Sequence, residues 1–98
     1  MAFCVLGLGV STIDYIAFVD RFPSPDEKLR ISELCIDGGG NCANTLSGLK
    51  KLGINTKIIT AVGNDRFALE IIDTLEKEGI DINNITKKNT CSPFSLLL

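Results

Sequence analysis

The run Asp37-Gly38-Gly39-Gly40-Asn41-Cys42-Ala43-Asn44 holds the clearest chemical potential of this chain. Glycines without a Cβ let backbone N–H groups approach a ligand closely. Asn41 and Asn44 lie three apart, so on a helix they share one face and offer amide donors and acceptors together. Asp14 follows the first strand-like run by a few residues, which places it at the carboxyl edge where open α/β sheets bind ligands. A carboxylate accepts hydrogen bonds only, so Asp14 can grip two neighbouring hydroxyls. Such a corner suits a polar, neutral, hydroxyl-rich molecule. The blander alternatives are a helix start capped by Asn41 and a solvated loop carboxylate at Asp14.

The elements that would position these residues follow from periodicity. Phe3 to Gly9 is a continuous apolar run ending in glycine, which predicts a strand buried on both faces at the centre of a parallel sheet. Ile13 to Val19 predicts a strand that stops before Pro23 and Pro25. Leu29 to Ile36 alternates with a slip of phase at Glu33, which predicts a strand with a bulge or bend. From Asn41, the apolar positions Ala43, Leu46, Leu49 and Leu52 repeat at helical spacing. Lys50 and Lys51 close the last turn and Gly53 stops it. Gly48 inside this helix costs about 1 kcal/mol relative to alanine and predicts close packing on the sheet. Lys57 to Gly63 predicts a second buried strand, and Asp65 caps a helix with Phe67, Ala68, Ile71, Ile72 and Leu75 on one side, ended by Gly79. The Gly63-Asn64-Asp65 turn reads as a helix cap with no further role. Cys91 to Leu98 begins another strand and runs out on three leucines, so the chain reads as the front part of a longer protein. The order of elements predicts an α/β fold with crossover connections.

Composition narrows the function. The chain has 98 residues, enough for one domain at most, with 45% hydrophobic residues, 22% charged residues and a net charge of −2. The ten Lys and Arg are scattered and outnumbered by acids, which argues against nucleic acid as a partner. No apolar run approaches the roughly 18 residues of a membrane span, and no basic flank precedes Phe3 as in a signal peptide. The expected location is the cytoplasm. Cys4, Cys35, Cys42 and Cys91 contain no Cys-x-x-Cys pair and the chain has no His, so buried reduced thiols are expected and a zinc site is not. Gly7-Leu8-Gly9 lacks the third glycine of a dinucleotide fingerprint, and no Gly-x-x-x-x-Gly-Lys phosphate loop occurs.

The glycine turn, the helix reaching Gly53, the strand at Ile58 and the Gly63-Asn64-Asp65 turn together resemble the ribokinase or PfkB family of carbohydrate kinases, over essentially the whole chain. The form Gly39-Gly40-Asn41-Cys42-Ala43-Asn44 is more similar to the ketohexokinase branch than to ribokinase, which usually has Lys where Asn41 stands. The resemblance implies a ribokinase-like fold: a parallel-sheet, Rossmann-type core with a small β-sheet lid, of which this is the N-terminal part. The lid strands would be about 13–20, 29–36 and 94–98, covering the sugar and often forming a homodimer contact. It also implies that Asp14, Thr12, Gly39, Gly40, Asn41 and Asn44 bind the substrate, and that ATP, with Mg²⁺ and often K⁺, phosphorylates a sugar or nucleoside hydroxyl. The family's catalytic aspartate lies in a Gly-Ala-Gly-Asp turn, which is absent here. No catalytic residue is therefore assigned to this chain, and alone it is expected to be inactive. The alternative is a truncated sugar-binding or interaction module without chemistry.

Overall fold

The computed structural model describes residues 3–98. The elements are β1 (Cys4–Leu8), β2 (Thr12–Phe18), β3 (Glu33–Gly39), α1 (Asn41–Lys51), β4 (Asn55–Val62), α2 (Arg66–Lys77), β5 (Ile85–Lys87) and β6 (Phe94–Leu97). They form two three-stranded sheets. The first is parallel, in the order β1-β4-β5, and the second has the order β3-β2-β6 with β2 antiparallel to β3 and parallel to β6. The fold is thus α/β, with the excursion of β2 and β3 leaving the first sheet and β6 joining it later. Among the described residues no helix is long and apolar enough to cross a membrane.

One apolar core ties the parts together: Ile58 and Val62 of β4, Leu46 of α1, Ala68, Ile71 and Leu75 of α2, and Ile13 of β2 are all buried in it. Strict alternation in β4 sends Thr56, Ile58, Thr60 and Val62 inward and leaves the residues between them exposed, as expected of a sheet covered on one face. That arrangement corrects the expectation for the first strand. β1 lies at the edge of the described sheet, and Leu6 and Leu8 are 56% and 79% exposed. Its apolar run is continuous, but the helices cover only one of the faces it supplies.

Three glycine-related findings locate the close contacts. Gly53 and Gly79 sit at φ 90° and φ 80° just past the ends of α1 and α2. In each case the glycine N–H and the next N–H bond back to helix carbonyls, Gly53 to Lys50 and Ile54 to Leu49, Gly79 to Glu76 and Ile80 to Leu75. These are Schellman motifs, which need a left-handed residue at that position. Leu52, expected on the apolar face of α1, is instead the exposed capping residue before Gly53. Gly48 is not a packing glycine either: a Cβ there would meet nothing within 4 Å. The close approach of α1 to the sheet is made by Gly7 and Gly9, where a Cβ would lie 2.8 Å from Cys42 atoms. Gly48→Ala is therefore expected to stabilise the chain by about 1 kcal/mol, the helix-propensity difference, measured as a shift in the denaturant midpoint at unchanged slope.

The strands of the second sheet also differ from expectation. β3 starts at Glu33 and runs through Gly39, and its register with β2 is unbroken from Thr12 opposite Gly39 to Phe18 opposite Glu33. The bulge is absent because residues 29–32 precede the strand; Ser32 turns there, giving its N–H and hydroxyl to the Phe18 carbonyl. The change of phase marks a strand start. All four cysteines are free, as expected, but Cys4, Cys35 and Cys91 are exposed and Cys42 is half-buried. Burial raises the Cys42 thiol pKa above its ordinary value.

Candidate functional site

The site begins with three backbone choices. Gly38 and Gly39 belong to β3, and only Gly40 makes the turn, at φ 94° and ψ 138°, a conformation open to glycine alone. A Cβ at Gly40 would also lie 2.5 Å from the Val10 carbonyl oxygen. That carbonyl accepts the N–H of Ala43, so the first turn of α1 is tied to the β1–β2 connection by backbone. Gly40 is the N-cap residue and no side chain caps the helix. Asn41 is thus the first helical residue, and the alternative of Asn41 as the cap fails because the Val10 and Gly40 carbonyls accept the N–H groups of Ala43 and Asn44.

Asp14 and Thr12 are two apart in β2 and share a face of the second sheet. Thr12 Oγ1 donates to Asp14 Oδ1 at 3.0 Å, which fixes the carboxylate and leaves the Oδ2 oxygen free to accept. The space they occupy is the space a side chain on Gly39 would take: a Cβ there would lie 2.3 Å from Asp14 Oδ2 and 2.8 Å from Thr12 Oγ1. Gly39 therefore serves the site by being small. Gly38, on the opposite face, plays the same part against α2, where a Cβ would lie 2.5 Å from Thr74 Cγ2.

A cleft of about 730 Å³ gathers Asp14, Thr12, Gly40 and Asn41. Its other walls include Cys42, Thr45 and Ser95 with the apolar Val5, Leu8, Leu46 and Leu49. Asn41 and Cys42 open α1, so their N–H groups have no intrahelical partner and the positive end of the helix dipole lies at the cleft. Asn44 and Gly39 line a smaller adjoining cavity of about 160 Å³, shared with Thr12 and containing Asp37, Ser47 and Lys51. The structure thus brings Asp14, Thr12, Gly40 and Asn41 to one cleft and places Asn44 and Gly39 on the adjoining cavity, which Asp14 does not line, so the two carboxamides do not share one cleft as expected. Among the described residues neither asparagine carboxamide has an intrachain hydrogen bond, so both are free to meet a ligand.

Ser95 is a cleft residue that the sequence did not reveal. It stands beside Asp14 because β6 pairs with β2 in parallel register, a contact across some eighty residues that no local pattern carries. The Gly63-Asn64-Asp65 turn does more than cap α2. Asp65 accepts from the Ala68 N–H at 3.0 Å and from the Ser92 N–H at 2.8 Å, and Gly63 N–H donates to Ser92 Oγ at 2.8 Å. Hydrogen bonds from Ser92, with a smaller contribution from Ala68, hold the Asp65 carboxyl below the usual range. This clamp sets where the chain enters β6, and so where Ser95 stands. Among the described residues no group of three or more His, Cys, Asp or Glu could hold a metal ion.

Comparison with known proteins gives the family and the fold. Residues 3–97 match the pfkB family of carbohydrate kinases. A nucleoside kinase from Methanothermobacter thermautotrophicus is 35% identical over 81 residues, covering 83% of this chain and 26% of that protein. A ribokinase structure from Thermotoga maritima superposes with a TM-score of 0.80 at 26% identity, over 98% of this chain and 32% of that one. An Arabidopsis thaliana ribokinase solved with ribose and ATP shows the same fold, with a TM-score of 0.83 at 20% identity over 98% of this chain and 32% of that chain. The chain spans about a quarter of the length of the curated relative and about a third of the two solved structures.

Proposed function

The chain belongs to the pfkB family of carbohydrate kinases, and from that premise we propose that it forms the acceptor-binding part of a kinase that moves the γ-phosphoryl group of ATP to a hydroxyl of a sugar or nucleoside. The observation that carries this reading is the single cleft holding Asp14, braced by Thr12, together with Asn41 at the start of α1. Asp14 accepts from two neighbouring hydroxyls, Asn41 and Ser95 donate or accept at its flanks, and Asn44 extends the same polar surface into the adjoining cavity. Among the described residues the lining of the larger cleft holds no Arg or Lys, and Lys51 lines only the adjoining cavity, which favours an acceptor whose part in the larger cleft carries no phosphate, because a phosphate is best held by Arg or Lys. The relatives named as nucleoside kinases support a sugar or nucleoside acceptor.

Phosphoryl transfer depends on alignment of the acceptor hydroxyl and on charge stabilisation. This chain contributes alignment. No carboxylate of the cleft acts as base, and among the described residues no three or more His, Cys, Asp or Glu gather as metal ligands; Mg²⁺ would be held with the phosphates of ATP, and K⁺ stands with it in the proposal. ATP and the base belong to parts of the kinase other than these residues, and the 98-residue chain alone is inactive in this reading. The cytoplasm is the proposed location. A homodimer through the second sheet belongs to the same proposal: Leu34, Ile36 and Leu96 are exposed on the face opposite Asp14.

The test is turnover by the kinase that carries this chain, assayed with ATP across neutral sugars, nucleosides and sugar phosphates. ADP formation with at least one unphosphorylated sugar or nucleoside is expected. Turnover confined to sugar phosphates, or none with any acceptor, would reject the reading.

A further inference from the structure

The two sheets share no strand, so something other than strand pairing must fix the second sheet, and Asp14 with it, on the core. Ile13 in the shared core and the tie from Ala43 to the Val10 carbonyl do part of this, and the stripe of α2 residues Phe67, Glu70 and Thr74 does the rest, at the i, i+3, i+7 spacing that places side chains on one helix face. Thr74 meets the bare backbone of Gly38. Glu70 receives the Tyr15 hydroxyl on both carboxylate oxygens, at 3.0 and 2.9 Å. Phe67 meets the Tyr15 ring edge-on at 5.8 Å and stacks on Phe94 of β6 at 4.5 Å. Tyr15 is the residue after Asp14 in β2, so its side chain points to the opposite face of the sheet. One peptide unit separates the group that faces the cleft from the group bonded to α2.

We propose that Tyr15 and Glu70 are positioning residues for the Asp14 carboxylate, acting as a joint that sets the distance between the second sheet and the start of α1. The aromatic contacts hold the ring in place without direction along its edge. The hydroxyl-to-carboxylate bond supplies the direction, because a charged acceptor gives a short, oriented hydrogen bond. A phenol is protonated through the neutral range, so the tyrosine stays a donor, and the bond to Glu70 raises its pKa further. Neither residue lines the cleft, so each acts on the acceptor only through β2. This inference rests on the acceptor-binding role of Asp14 proposed above.

The experiment uses the kinase that carries this chain, with the acceptor it turns over. Tyr15→Phe keeps the ring against Phe67 and removes only the hydroxyl. It is expected to raise the acceptor KM about fivefold, a loss typical of one net hydrogen bond, with the KM for ATP unchanged and kcat within about twofold. Glu70→Gln keeps an oxygen that accepts from Tyr15 and is expected to stay within about twofold of the parent, whereas Glu70→Ala is expected to match Tyr15→Phe. In an Asp14→Ala background, Tyr15→Phe is expected to add nothing, because its effect passes through that carboxylate. If Asp14→Ala raises the acceptor KM while Tyr15→Phe leaves it unchanged, or if the two effects multiply, the positioning role is overturned and the acceptor site stands. If Asp14→Ala itself has no effect, the acceptor site falls and this inference with it.

Discussion

Replacing Asp14 with Ala in the kinase that carries this chain is expected to raise the acceptor KM about 100-fold and to leave the KM for ATP within about twofold. Each hydrogen bond from a neutral hydroxyl to a carboxylate contributes about 1.5–3 kcal/mol. Losing two at the lower end amounts to about 3 kcal/mol, or roughly two orders of magnitude. The fold should not suffer. Asp14 stands directly opposite Asp37 on the neighbouring strand, and like charges so placed in an antiparallel pair destabilise it. Asp14→Ala and Asp14→Asn are therefore expected to melt at or slightly above the parent temperature while binding acceptor poorly. A variant that loses binding and gains stability cannot owe its defect to misfolding. An acceptor KM within twofold of the parent, read from steady-state kinetics at saturating ATP, would remove Asp14 from the site.

Gly39→Ala is expected to reach a similar loss by a different route. The added Cβ would sit 2.3 Å from Asp14 Oδ2 and 2.8 Å from Thr12 Oγ1, well inside van der Waals contact, so the carboxylate must rotate away and its bond to Thr12 must break. The neighbours that have to give way are the two side chains of the site itself. The acceptor KM should rise by about 30- to 100-fold, with a stability loss of about 1–3 kcal/mol from overpacking. Gly38→Ala is the matched control one residue earlier, because its Cβ would press on Thr74 Cγ2 at 2.5 Å on the other face. It is expected to cost similar stability, measured by denaturant unfolding, with a much smaller change in acceptor KM. Equal kinetic defects in the two variants would mean that Gly39 matters only for packing.

Much of the architecture was readable from local pattern. The helix ends at Gly53 and Gly79, the cap at Asp65 and the strands through Ile58 and Phe94 to Leu97 all follow from residue types that satisfy backbone groups or favour extended chain, although the strand through Ile58, expected to be buried, exposes every second residue. That Asp14 and Asn41 would come near one another was readable too, since a glycine turn entering a helix with Asn41 is a local feature and Asp14 follows a strand end; the structure sets both in one cleft. What could not be read depends on which surfaces meet. The apolar run of β1 shows that it can be buried on both faces, whereas the structure covers one. Gly48 and Gly39 look alike as letters, yet one faces open space and the other faces a carboxylate. The phase slip at Glu33 reads locally as a bulge or a bend within one strand, and only the pairing with β2 shows that the strand starts there, after a bend at Ser32. Ser95 beside Asp14 and Glu70 beneath Tyr15 come from contacts between distant segments, which periodicity does not encode.

Direct binding of the acceptor without nucleotide is the measurement closest to the central claim that these residues hold the hydroxyls of a small carbohydrate. Calorimetric titration of the kinase that carries this chain, parent against Asp14→Ala, isolates that step from chemistry and from ATP. The account predicts a dissociation constant weaker by about 100-fold in the variant. Equal affinity in the two proteins would contradict it.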